Sequence, residues 1–160
     1  MRHRSAARLA LTLAAALPGC GSNTPTAPNG VTRAVITVAV DPNPVPVVQS
    51  TTSIGLHQVK YKVVVTETAG LGGEFVHIDS TIFDDTSGAF MGANNYDAAD
   101  LIVFVGSKRL EASTKVGIAQ QIDFLLPKDF TAGRIAVSVQ FRDDRGNVLN
   151  QSILVVAKAP

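Results

Sequence analysis

Side chains suited to nucleophilic, metal or acid–base chemistry are few in this chain and widely spread. Cys20 is the single cysteine in 160 residues. A catalytic thiol needs a neighbouring base or cation to hold its thiolate. Cys20 instead ends the run Leu17-Pro18-Gly19-Cys20, behind a basic and then apolar leader. Beyond it the histidines are His57 and His77, in neither an H-x-H nor an H-E-x-x-H arrangement. His77 and Asp79 stand two apart, so on a strand they share a face. A solvated face accounts for them at least as well as a metal does.

The acids cluster at Asp84-Asp85, Asp97 with Asp100, and Asp143-Asp144. Calcium takes several hard oxygen ligands from loops, and loop acids gathered at one end of a domain would supply them. No segment has the spaced D-x-[DN]-x-[DN]-G loop, however, and Asp is common in turns because it binds nearby backbone amides. Glycoside hydrolysis needs two carboxylates at a fixed separation, which nothing in the spacing sets. Neither G-x-G-x-x-G nor G-x-x-x-x-G-K-[ST] occurs, so nucleotide chemistry has no motif. The expectation is a protein that is not an enzyme, with no cofactor and no metal site.

The first eight residues carry three arginines, and Leu9 to Leu17 carry no charge. Nine apolar residues suit a signal segment and fall short of the roughly 20 a membrane span needs. With Leu17, Gly19 and Cys20, the leader resembles that of bacterial lipoproteins, Pro18 being the departure from the pattern. The resemblance implies cleavage before Cys20 and acylation there by diacylglycerol and a further chain such as palmitate. The lipid bilayer is then a partner through Cys20. Asp does not follow Cys20, which in a Gram-negative source implies the outer membrane. The alternative is plain secretion by the general signal peptidase.

Residues 20–30 read as the acylated cysteine and a flexible tether, since Gly21 to Gly30 hold no charge and no large apolar side chain. Residues 31–160, after the 1–19 leader, are of single-domain size. Without the three leader arginines, 11 basic residues face 13 acidic ones, a net charge of −2. A slightly acidic domain gives no electrostatic case for nucleic acid.

Period-two alternation runs through the domain. Ala34, Ile36, Val38 and Val40 form a first strand, stopped by Pro42, Pro44 and Pro46, with a brief return at Val47-Val48. Val59 to Val65, Phe75 to Phe83, Val116 to Leu126, Ile135 to Phe141 and Leu149 to Ala157 follow, and Leu101 to Val105 reads as a short apolar strand. In the Phe75–Phe83 strand, Val76, Ile78 and Ile82 are the expected core side. Seven strands without a sustained helical stripe predict an all-β fold, an immunoglobulin/fibronectin-like two-sheet antiparallel sandwich. The last two strands, around G-R-I-A-V-S-V-Q-F-R-D-D-R-G-N, are similar to the closing hairpin of bacterial immunoglobulin-like domains. A small barrel is the fold alternative.

Residues 84–100 are the least strand-like part, read as a long loop or weak edge element. Phe90, Met91 and Tyr96 within it are the candidate contacts for a protein or glycan partner, or else they cover the core. The functional expectation is a non-catalytic binding or envelope-assembly module. The alternatives are a small carbohydrate-binding or hydrolytic domain, and a structural envelope protein without a specific ligand. Replacing Cys20 with Ser should release the domain from membranes, and intact mass of the exported protein should show the acyl increment at Cys20. Membrane retention of Cys20→Ser, or an unmodified mature mass, contradicts the anchor.

Overall fold

The computed structural model describes residues 30–159; the leader, Cys20 and the rest of the tether lie outside them. The architecture is all-β and largely antiparallel, with one short helix. Its elements are β1 (Ile36–Asp41), β2 (Val45–Gln49), β3 (His57–Glu67), β4 (Gly73–Asp84), β5 (Phe90–Asp97), α1 (Ala98–Val105), β6 (Arg109–Leu110), β7 (Lys115–Phe124), β8 (Ala132–Asp143) and β9 (Val148–Lys158).

The strands form two packed layers. In the first, β3 is central: β7 pairs along one side of it, and β1 and β2 lie end to end along the other. The second runs β9-β8-β4-β5, with β6 against the start of β4. The prolines explain the broken first strand. Pro42 and Pro44 have no amide to donate to β3, so the ladder stops at Asp41↔Lys62. The chain then touches β9 in parallel at Val45↔Ala157 and returns to β3 at Val47↔Val59. β2 thereby joins the two layers.

One core fills the space between them, and the alternation sets its membership. Val59, Tyr61, Val63 and Val65 of β3, Ile118, Ile122 and Phe124 of β7, and Ile135, Val137, Val139 and Phe141 of β8 are all buried. One expected core position moves. The β4–β8 register shifts between Phe75 and His77, leaving Val76 out of the pairing. A bulge reverses the facing of every residue before it. Phe75 is therefore buried edge-to-face on Phe141, with ring centroids 5.5 Å apart, and Val76 is only half-buried.

Residues 101–105 correct the expected strand: they belong to α1. Asp97 accepts hydrogen bonds from the amides of Ala99 (2.7 Å) and Asp100 (2.9 Å), and the Asp100 carboxylate accepts the Asp97 amide (3.1 Å). This capping box satisfies donors that the first helical turn leaves free. Gly106, at φ 83°, ends the helix in the left-handed region open to glycine.

Two buried carboxylates fasten the point where the chain joins the sandwich. Glu67, on β3, accepts the amides of Val35 (3.3 Å), Ala69 (2.8 Å), Gly70 (2.9 Å) and Ser113 (2.8 Å). Asp143, on β8, accepts the amides of Ala34 (3.0 Å), Arg145 (3.0 Å) and Asn147 (2.9 Å), and the Asn147 side chain (2.9 Å). Burial opposes ionisation of both acids, but the converging amide donors outweigh it and hold both carboxyls below their ordinary range. A depressed folded-state pKa contributes stability that is present above the unfolded value. That contribution is lost as pH falls through the folded value. The urea midpoint should therefore drop as pH is lowered below about 4, and less steeply in Glu67→Gln. Glu67→Ala, which orphans four amides, should cost about 2–4 kcal/mol at pH 7 by urea denaturation.

Candidate functional site

Residues 84–100 form a tight turn, a strand at the end of the sheet order and the first residues of α1: the edge element of the two expected readings, and not the long loop. Composition hid this. The β5 sequence F-M-G-A-N-N-Y-D has no β-branched residue, and its extended form comes from pairing with β4, from Ile82↔Gly92 to His77↔Asp97. Gly92 permits the close approach to β7: a Cβ there would lie 2.8 Å from Ile122 Cγ2.

Phe90, Met91 and Tyr96 do not come together. The β4–β5 register shifts between Ile82 and Phe83, so that Phe90 pairs with Phe83 and Gly92 with Ile82. Phe90 turns outward, 65% exposed, edge-to-face on Phe83 at 6.3 Å. Met91, passed over in the pairing, is half-buried against the core. Tyr96 lies near the other end of β5, half-buried and stacked on Phe104 at 5.3 Å. Six residues of strand separate it from Phe90, about 20 Å.

The Phe90 end carries the more chemically defined surface. Beside Phe90, a groove of about 240 Å³ is lined by Phe83, Asp84, Gly88, Arg134 and Leu154. Leu154 is 58% exposed and Val156 49%. Arg134 is positioned by ion pairing with the Asp85 carboxylate and by donating to the Asp85 carbonyl (3.2 Å). Asp84 closes the turn by accepting from the Ser87 hydroxyl and amide, which hold its carboxyl below the usual range. The site thus offers an aromatic edge, aliphatic faces and a guanidinium. Its two carboxylates are already engaged, and neither histidine lines the groove. A larger depression of about 360 Å³ opens between β1 and β2, where Asp41, Pro42, Lys60, Lys62 and Ala119 surround it. Tyr61 and Gln120 also line it, but Tyr61 is buried at 4% exposure and shows the depression little of its ring.

The remaining candidate residues take structural partners. Asp97 and Asp100 cap α1, and Asp143 holds the first residues of the sandwich. Asp144 forms a two-pronged pair with Arg109 at 2.8 Å for each contact, which lowers its pKa. Asp84-Asp85 and Asp143-Asp144 sit at opposite ends of the β4–β8 pair, so the three acidic pairs do not all gather at one end; Asp97 and Asp100 lie toward the Asp143 end, where both are engaged in capping α1. His77 Nε2 lies 3.2 Å from Asp79 Oδ2 on the outer face of β4. Among the described residues, no three His, Cys, Asp or Glu side chains converge as a metal site. Cys20 lies outside them.

A polar group inside the sandwich had no distinct signal in the sequence, because its members occupy ordinary core positions of the alternation. Tyr61 pairs with Gln120 on one layer and Ser80 with Asn94 on the other. Asn94 donates to the Gln120 side-chain oxygen (2.9 Å). The Tyr61 hydroxyl, Ser80 Oγ and Gln120 Nε2 are buried without a well-formed hydrogen bond. Burial pushes the Tyr61 phenol up to about 12, an effect that nearby Ser80 moderates.

No protein-family model matches this chain, and no curated protein matches it. Among solved structures, it is similar to a protein from Bordetella pertussis assigned as ApaA. That match has a TM-score of 0.58 and 16% identity over 79% of this chain and 95% of the other. The X-ray structure of a structural-genomics target gives 0.57 and 13%, over 78% and 87%. A glycoside hydrolase family 2 β-glucuronidase gives 0.39 and 8% identity, over 74% of this chain and 11% of that one. At such identities the first two likenesses concern the fold alone, and the third carries no argument about activity.

Tyr61→Phe removes a buried hydroxyl that lacks a full partner. Its unfolding free energy in urea should stay level or rise, by up to about 1 kcal/mol. A loss above about 1.5 kcal/mol would show that the hydroxyl is well bonded in solution.

Proposed function

We propose that this chain is a bacterial envelope lipoprotein, held through acylated Cys20. In this reading its sandwich, of immunoglobulin or fibronectin type, binds a protein partner without catalysis. The divided first strand, reaching both layers through β2, supports the finer fold assignment. So does the four-strand order β9-β8-β4-β5 opposite a β3-centred layer. The outer membrane is the location if the source is Gram-negative.

One observation carries the binding reading: Phe90 stands exposed on Phe83 beside Leu154 and Arg134. Large aromatic and arginine side chains next to an apolar groove are what protein interfaces concentrate. The place also suits a partner approaching from outside. β4 runs twelve residues from Gly73, near the clamp at Asp143, to Asp84 at the groove. That separates groove and tether by about 36 Å along the strand. A glycoside hydrolase would place two carboxylates across the scissile bond, whereas Asp84 and Asp85 are tied to Ser87 and Arg134 in the turn.

The test is affinity capture from envelope extracts, comparing the parent chain with Phe90→Asp and Leu154→Asp. Both substitutions lie on exposed positions and should leave the urea midpoint nearly unchanged. Capture of a saturable partner should fall at least about tenfold, equivalent to about 1.4 kcal/mol. Equal recovery by all three chains rejects the groove as the contact.

A further inference from the structure

We propose a second contact surface: α1 lies on the lipid bilayer, with Ile102, Val103 and Phe104 entering the interfacial region. The proposal rests on the reading that the chain is held at a membrane through Cys20, and it adds an orientation to that reading.

The helix is firmly built yet faces outward. It is capped at both ends, and Leu101 is its fully buried residue. Ile102 is 51% exposed, Val103 75% and Phe104 67%. Phe104 is backed by the Tyr96 ring, so the cluster is braced. Single exposed apolar residues are ordinary on a protein surface, but three in succession on an ordered helix mark a contact. Eight residues make a helix about 12 Å long. That is too short to cross a hydrocarbon core of about 30 Å and suited to lying along its surface.

Position identifies the occupant. Asp97 pairs with His77 before α1, and after it the Lys108 carbonyl accepts the Phe75 amide (2.8 Å). The helix thus flanks the beginning of β4. The tether joins the sandwich at this same end: the Asn147 side chain donates to the Thr32 carbonyl (3.0 Å), and the Asp144 amide to the Gly72 carbonyl (2.9 Å). Between Cys20 and Thr32 the chain can extend to about 40 Å at most. An anchored domain therefore keeps this end near the bilayer at high effective concentration. Charge plays little part. Lys108 and Arg109 after the helix are paired with Glu74 and with Asp144 and Glu111, and Asp97 and Asp100 open it. Insertion should be apolar and insensitive to salt.

The chain contains no tryptophan, so one introduced indole reports its own surroundings. The chain from Cys20 onward can be coupled through that thiol, the single one present, to maleimide-lipid vesicles of phosphatidylethanolamine with a minority of phosphatidylglycerol. Coupling supplies the anchor chemically, whatever the cell does at Cys20; the intact mass of the exported protein answers that point separately. Phe104→Trp should shift to the blue on coupling, at low and high salt alike, and be quenched by lipids brominated in their acyl chains. Ile54→Trp, in the exposed turn before the His57 end of β3, should do neither. Val103→Trp gives the same reading if Phe104→Trp folds poorly. An unshifted indole at both helix positions overturns the proposal, as does an equal shift at Ile54. A shift without vesicles that grows with protein concentration also overturns it, in favour of a second copy of the chain.

Discussion

Ala34 and Val35 are consecutive residues, and their amides are received by carboxylates from opposite layers, Asp143 on β8 and Glu67 on β3. Burying an ionised acid is costly unless its oxygens are hydrogen-bonded. Here every donor belongs to a segment that the fold must hold in place. Glu67 also gathers the Ala69-Gly70 turn and Ser113, and Asp143 closes its own hairpin through Arg145 and Asn147. The two acids tie the incoming chain, both layers and two connections together at one end. They also fix the point at which the chain before Ala34 leaves the sandwich.

With that exit settled, the two ends of the molecule acquire different chemistry. The clamped end carries α1 and its apolar face. About 36 Å away along β4, the other end carries Phe90, Phe83, Leu154 and the Arg134–Asp85 pair. In the proposed reading, anchoring at the clamped end presents the other end to whatever approaches the membrane. Both surfaces lie on or beside β4 and β5, a pair whose register is shifted once by a bulge. That shift turns Phe90 outward while keeping Gly92, Asn94 and Tyr96 directed toward the interior.

The legibility of each part follows from how local its cause is. Val59 to Val65, Ile118 to Phe124 and Ile135 to Phe141 alternate cleanly because each strand buries one face, and a period of two records that directly. Pro42 and Pro44 mark the break in the first strand because a missing amide is a local property. The α1 region reads as a strand because Leu101 to Val105 are a short apolar run, which by itself carries no period. Asp97, Asp100 and Gly106 nevertheless spell out a start and a stop in the order a capped helix requires. The β5 region had no such local statement. Six of its eight residues, all but Phe90 and Tyr96, are weak strand formers; the strand is held extended by β4, and that partner is not visible in its own composition.

Composition and period alone establish an all-β domain behind a basic-then-apolar segment and an uncharged one, because hydrophobic alternation, charge and proline act within a few residues of where they stand. Which aromatic side chains face solvent, and together with what, depended on two bulges and on strand pairings between residues far apart in the chain. Slipping a strand by one residue exchanges its faces. The sequence therefore names Phe90, Met91 and Tyr96 as candidates with equal weight. Pairing across β4 and β5 sends them to three different surroundings and leaves Phe90 alone at the groove.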